Sequence, residues 1–254
     1  MARVLVGTSG YTYRHWWNGV FYPRELPQKR WLEFYSQFFD TVELNISFYR
    51  LPERKTFEGW YQRTPEDFLF SIKGSRFITH IKRLKDCQEP LEVFFDRAQG
   101  LKEKAEVILW QLPPSFRLNI QRVGEFCRLL TDLFGSKPVR QVFEFRDASW
   151  FCPEIYGLLE EHNFSLCLAH SPALSSVERR TADFVYIRFH GGESTYASNY
   201  SEGEIRDWSE RIKGWFGEGL DVYAYFNNDA FGFAVQNALT LKELLSLELP
   251  SEGR

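Results

Sequence analysis

Eight short apolar stretches punctuate the chain, and most are separated from the next by a segment long enough for a helix. They lie at residues 4–6, 41–45, 68–73, 106–112, 141–146, 164–170, 183–190 and 221–227. Strands that alternate with helices pair in parallel, because a parallel neighbour has to be reached through a crossover connection. Eight such units in 254 residues predict an α/β protein of one domain, a closed (β/α)8 barrel with its helices outside. In that architecture ligands meet the protein at the C-terminal ends of the strands. The polar residues that close the stretches therefore carry more information than any local motif.

The intervening segments read as helices. Residues 27–39 place Trp31, Phe34, Tyr35 and Phe38 on one face, with Pro27 near the first turn. A short helix follows Leu51-Pro52-Glu53, and Pro90 opens another that carries Leu91, Phe94, Phe95 and Ala98. Further helices are expected over 121–134, stopping at Gly135, and over 153–162, 202–216 and 230–245. Residues 171–181 leave room for a degenerate helix only. A formal net charge of −3 argues against wholesale attraction to nucleic acid or membrane, although a local basic patch stays open. The four cysteines are widely spaced and read as buried free thiols. Met-Ala-Arg runs straight into the first strand with no room for a signal peptide, and no apolar run approaches the ~20 residues of a membrane helix. A cytoplasmic protein without a membrane partner is expected; no feature fixes its oligomeric state, and a monomer satisfies the composition.

Side chains alternate across a strand, so residues of equal parity share a face. Glu43 groups with Asn45, Ser71 with Lys73, Glu144 with Arg146, and Arg188 with His190. The opposite parity holds Val42, Leu44, Ile72, Phe143, Phe145, Ile187 and Phe189, all apolar. The face under the helices has to be apolar, so the polar set is expected to point inward. Buried carboxylates need partners, which makes Lys73, Arg146 and Arg188 the natural companions of Glu43 and Glu144. Two readings follow: an internal network of ion pairs, or a ligand site whose carboxylates move protons.

Other groups border this set. Asn227, Asn228 and Asp229 end the last stretch; the asparagines suit ligand contacts, and a helix cap is the simplest role for Asp229. The first loop carries Ser9, Tyr11, Tyr13, His15, Trp16, Trp17, Phe21 and Tyr22, either an exposed lip for stacking on sugars or bases, or a buried plug. Residues 73–85 hold Lys73, Arg76, Lys82, Arg83 and Lys85, together with His80 and no acid. That segment is either a solvated face or a phosphate-recognising one. His190 precedes Gly191-Gly192, a turn flexible enough to approach a ligand. No dinucleotide fingerprint, Walker loop, His-Glu-x-x-His or Gly-x-Ser-x-Gly occurs. No cofactor is called for. A divalent metal stays open, with Glu43, His80, Glu144, His170, His190 and Asp229 as available donors.

Several of these segments, taken in order, are familiar. Gly7-Thr-Ser-Gly-Tyr-x-Tyr with Trp17-Asn-Gly-Val-Phe-Tyr-Pro23, Thr41-Val-Glu-Leu-Asn45 followed by Ser47-Phe-Tyr-Arg50, and Phe77-Ile-Thr-His80 form the first half of the series. Gln111-Leu-Pro-Pro-Ser-Phe116, Phe143-Glu-Phe-Arg146 with Ser149-Trp150, Arg188-Phe-His-Gly191 and Tyr225-Phe-Asn-Asn-Asp229 complete it. Over about residues 3–240 the chain resembles the YecE-like family, a domain of unknown function. The resemblance implies a TIM barrel similar in outline to endonuclease IV and the xylose isomerases, and brings no established reaction. The chain departs from the usual pattern at Asp147, where His is commoner, and at Ser47, where Thr is commoner; the first change removes a proton carrier.

The expectation is an uncharacterised enzyme of hydrolase type, cleaving a glycosidic or phosphoester bond in a phosphate- or sugar-containing, nucleic-acid-derived or small ligand. Glu43 and Glu144 are its candidate catalytic residues. Tyr11, Trp17, Asn45, Lys73, Arg76, His80, Arg146, Arg188, His190, Asn227 and Asn228 are its candidate ligand contacts. The alternatives are a non-catalytic nucleic-acid-binding protein and a metal-dependent phosphoesterase.

Overall fold

The computed structural model describes residues 2–134, 139–171, 177–192 and 198–248. Gly135 and residues 172–176 of the expected degenerate helix lie outside that set. Strands β1 (Val4–Thr8), β2 (Thr41–Leu44), β3 (Leu69–Lys73), β4 (Ala105–Gln111) and β5 (Arg140–Glu144) follow the first five apolar stretches. The sixth stretch yields two short strands, β6 (Ser165–Leu166) and β7 (Leu168–His170). β8 (Phe184–Phe189) and β9 (Asp221–Phe226) match the last two.

Where one closed sheet of eight was expected, hydrogen bonding joins the described strands into two sheets, β2-β3-β4-β5-β6 and β1-β9-β8-β7. The pairings β1/β9, β8/β9, β3/β4, β4/β5 and β5/β6 are all parallel, which makes this an α/β fold of parallel sheets. The sixth stretch changes partners at Cys167. Leu166 donates its N–H to the Thr181 hydroxyl at 2.8 Å, and Cys167 donates to the Phe143 carbonyl at 2.9 Å. Past that point His190 N–H reaches the His170 carbonyl at 2.9 Å, and β7 sits beside β8.

The chain forms two compact units, the first comprising Met1–Val42, Ala169–Ser176 and Phe184–Arg254, the second Glu43–Leu168 and Val177–Asp183. In the second unit β3, β4 and β5 pair so that Lys73 lies beside Leu109, and Gln111 beside Glu144. Helices α2 (Ile46–Tyr49), α3 (Arg54–Gln62), α4 (Gln88–Ala98), α5 (Ile120–Phe134) and α6 (Pro153–Glu161) connect these strands. Trp110 on β4 is fully buried, its ring 5.6 Å from Phe94 on α4 and 5.1 Å from Phe126 on α5. Its indole N–H donates to Gln141 Oε1 at 2.7 Å, so the one polar atom of a large apolar ring is satisfied. Gly74, just past β3, lies so close to that ring that a Cβ would overlap it.

In the first unit β9 lies between β1 and β8, with Tyr225 beside both Gly7 and Arg188. Helix α7 (Glu202–Gly217) buries Ile205, Trp208 and Ile212, and Trp208 packs edge-on against Phe189 of β8 at 5.0 Å. α8 (Phe233–Glu248) starts later than the expected 230–245, because Phe231 takes a left-handed conformation and breaks the first turn. α1 (Trp31–Tyr35) is shorter than the expected 27–39: Pro27 is extended, and a tight turn over Gln28–Arg30 precedes the helix. Among the described residues no helix is long and apolar enough to cross a membrane.

Candidate functional site

Parallel strands expose their last residues at one end of each sheet, and both units gather polar side chains there. In the second unit Glu43, Ser71 and Glu144 are fully buried, as are the apolar neighbours Leu44, Ile72, Phe143 and Phe145. Glu144, on β5, forms an ion pair with Arg146 two residues on. A buried carboxylate without such a cation would cost several kcal/mol, of order 3–5 when one partner is removed. Lys73 ends β3 with its ammonium 4.2 Å from the Phe48 ring centroid. Phe48 also meets His80 edge-on at 5.0 Å. Ser47 ties the strand ends together, donating to the carbonyls of Leu44 at 3.0 Å and Lys73 at 2.7 Å.

His80 sits in a single widened turn, Phe77–Ile81, closed by Lys82 N–H to the Phe77 carbonyl at 2.9 Å. Such turns recur at functional sites. Thr79 Oγ1 donates to the Ser75 carbonyl at 3.2 Å, so it accepts from His80 Nδ1–H at 2.9 Å and leaves Nε2 as the proton-free nitrogen. Burial, and after it the positive charges of Lys73, Arg76 and Arg146, together push the imidazole down to about 4. The ring is neutral at neutral pH and sits in a positive local field. Arg76 itself is exposed, and Asn45 half-buried where β2 gives way to α2.

In the first unit Arg188 is fully buried on β8 with its guanidinium 3.5 Å from the Ser9 hydroxyl. His190, also fully buried, accepts at Nδ1 from the Asn227 amide at 3.0 Å, which places its proton on Nε2. Asn228 donates to the Ser198 carbonyl at 3.0 Å and to Asn237 Oδ1 at 2.8 Å, anchoring α8 with its amide. His170 shares a hydrogen bond with the Tyr200 hydroxyl at 2.8 Å.

The first loop is largely a plug. Tyr11, Trp16 and Tyr22 are buried, with Tyr22 stacked on Trp31 at 4.5 Å and its hydroxyl donating to the Tyr11 carbonyl at 2.6 Å. Trp17 is 40% exposed, and its indole N–H is shared between the carbonyls of Pro23 and Arg24, each at 3.1 Å. Asp229 does not cap its helix. Its carboxylate accepts from the Trp16 indole at 2.6 Å and pairs with His15 Nε2 at 3.0 Å. Sequence reasoning named all three residues without joining them, since more than 200 positions separate Asp229 from His15 and Trp16 and no local pattern links them. Asp147, at the position where His is commoner, accepts from the Ser149 amide at 3.0 Å and caps a short turn. Among the described residues no three of His, Cys, Asp and Glu gather closely enough to hold a metal ion.

A fold of parallel α/β sheets with charged residues at the strand ends defines the class, and comparison with known proteins places the chain within it. Residues 5–252 match the model of a family described as protein of unknown function DUF72, and the chain belongs to that family. The UPF0759 protein YunF of Bacillus subtilis (strain 168) is 27% identical, over 96% of this chain and 95% of YunF. The UPF0759 protein YecE of Escherichia coli (strain K12) is 32% identical over 34% of this chain and 31% of its own. The crystal structure of a DUF72 family protein from Thermotoga maritima MSB8 has a TM-score of 0.83 and 31% identity, covering 96% of this chain and 99% of that one. At fold level alone, a xylose isomerase domain containing protein from Salmonella typhimurium LT2 is similar, with a TM-score of 0.55, 13% identity, and coverage of 86% and 93%.

Proposed function

We propose that the protein is a hydrolase that cleaves a phosphoester at the C-terminal strand ends of the second unit. The observation that carries this reading is the neutral His80 in the positive field of Lys73, Arg76 and Arg146, beside the buried Glu144–Arg146 ion pair. Cations clustered around a hydrogen-bonding neutral ring match a ligand that brings both phosphate and hydroxyl groups. Lys73 and Arg146 hold the phosphate, Arg76 attracts it from the exposed rim, and His80 Nε2 accepts a hydroxyl proton. Glu43 and Glu144 supply the carboxylates for proton transfer, and Asn45 orients the ligand. Sugar-phosphates fit this chemistry better than uncharged glycosides. The test is turnover of p-nitrophenyl phosphates and p-nitrophenyl glycosides by wild type, Glu43→Gln and Glu144→Gln. Phosphoester turnover is expected, falling by about a hundredfold or more in each variant. Equal turnover in all three proteins would defeat the catalytic assignment.

One observation favours a second reading, binding of single-stranded nucleic acid without catalysis. Tyr49 is 77% exposed and Phe77 48% exposed, and the Lys82 ammonium lies 5.7 Å from the Phe77 ring. Exposed rings beside cations suit base stacking with phosphate contacts. This reading predicts oligonucleotide binding that weakens steeply with salt and survives Glu144→Gln. Salt-independent retention, or none at low salt, would refute it.

A further inference from the structure

We propose that His15 and Asp229 form a water-activating dyad that hydrolyses uncharged carboxylic esters, a centre independent of the reading above. His15 Nε2 lies 2.8 Å from the Asp229 carbonyl and 3.0 Å from Asp229 Oδ2. A carbonyl oxygen can only accept, so Nε2 carries the proton, and Nδ1 of the neutral ring is the base. The His15 side chain is 45% exposed, which opens that base to water, whereas the Asp229 side chain is 17% exposed. A sheltered carboxylate that fixes the tautomer and orientation of an open imidazole is the arrangement by which acyl-transfer enzymes prepare a general base.

The surrounding chain is bent to hold this contact. Phe231 lies in the left-handed region at φ 59° and ψ 15°, a costly conformation for an aromatic residue, and its side chain is 77% exposed. Gly232 follows at φ +80°, where a Cβ would come within 2.6 Å of Val20 Cγ1. Only a residue without a side chain lets this turn press against the first loop. The Trp16 indole supplies a further donor to Asp229 at 2.6 Å. Burial raises the Asp229 carboxyl to about 6, opposed by His15 and Trp16, so the carboxylate is charged above that pH. The exposed Phe231 offers an apolar ring to an ester arm, and the half-buried Tyr13 ring lies 5.5 Å from His15.

In the reaction, Nδ1 removes a proton from water as the water oxygen bonds to the ester carbonyl carbon. Asp229 stabilises the imidazolium. When the tetrahedral adduct collapses, the bond from carbonyl carbon to alcohol oxygen breaks. Its electron pair leaves on that oxygen, which takes the proton back from Nδ1. The products are the carboxylic acid and the alcohol.

p-Nitrophenyl acetate, which has no phosphate, tests the dyad in the full chain. Hydrolysis faster than by free imidazole at equal concentration is expected. It should be lost in His15→Gln, reduced at least tenfold in Asp229→Asn, and unchanged in His162→Gln. Wild-type protein treated with diethyl pyrocarbonate and mapped by mass spectrometry gives a second measure that needs no variant: His15 should acylate faster than His162. Hydrolysis no faster than by imidazole, hydrolysis that persists in His15→Gln, or His15 acylating no faster than His162 would each overturn the proposal.

Discussion

Glu144 and Arg146 occupy neighbouring same-face positions on one strand and its extension; alternation made Arg146 one of three cations expected beside the buried carboxylates, and it pairs with Glu144. His80 is different. Its neutral state depends first on burial that no sequence pattern states, and then on the charges of Lys73, Arg76 and Arg146, brought to it by folding. Its folded pKa lies below the unfolded value, so the unfolded chain binds the extra proton. The stability this confers is complete above about pH 6.5 and drains away as the pH falls towards 4. For a half-exposed ring the loss, discounted for solvent screening, is of order 1 kcal/mol. Denaturant titrations of wild type and His80→Asn across that range should converge as the pH falls; parallel curves would contradict the assignment. Asp229 has the opposite sign. Its pKa is raised, so its contribution falls as the pH rises from about 4 to 6, a trend that Asp229→Asn should abolish. Gly74→Ala would drive a methyl group into the Trp110 ring and should cost about 1–3 kcal/mol, read as a lower urea midpoint.

Helices with a clear apolar face and a definite start were legible to within a few residues, among them α6, opened by Pro153, and α7, where Ser201 and Glu204 form a reciprocal cap. The Ser201 hydroxyl accepts from Glu204 N–H at 3.3 Å, and the Glu204 carboxylate accepts from Ser201 N–H at 2.8 Å. Ser201→Ala should therefore cost about 1 kcal/mol, measured by chemical denaturation. The break in the sixth stretch was not legible. Its residues read as one apolar run, whereas Leu166 N–H donates to the Thr181 hydroxyl and Cys167 N–H to the Phe143 carbonyl where β6 gives way to β7. The late start of α8 was hidden too, because composition does not show that Phe231 turns left-handed. The first loop could be read as a lip or as a plug; burial of Tyr11, Trp16 and Tyr22 favours the plug.

For the whole chain, spacing was enough to specify parallel strands linked by helices, and ordered motifs were enough to suggest the family to which it belongs. The grouping into two sheets was not foreseen, because register and partner choice depend on contacts far apart in sequence. A formal net charge of −3 conceals the local excess of cations around His80, and that imbalance is what the functional account needs. Burial is the larger cause of the low His80 pKa, and an anion held by Lys73, Arg76 and Arg146 would cancel the part that their charges add to it. The decisive measurement is the His80 titration midpoint, followed by NMR with and without saturating inorganic phosphate. The account predicts a midpoint near 4 in the free protein, rising towards the ordinary imidazole value with phosphate. A midpoint that phosphate leaves where it was would contradict it.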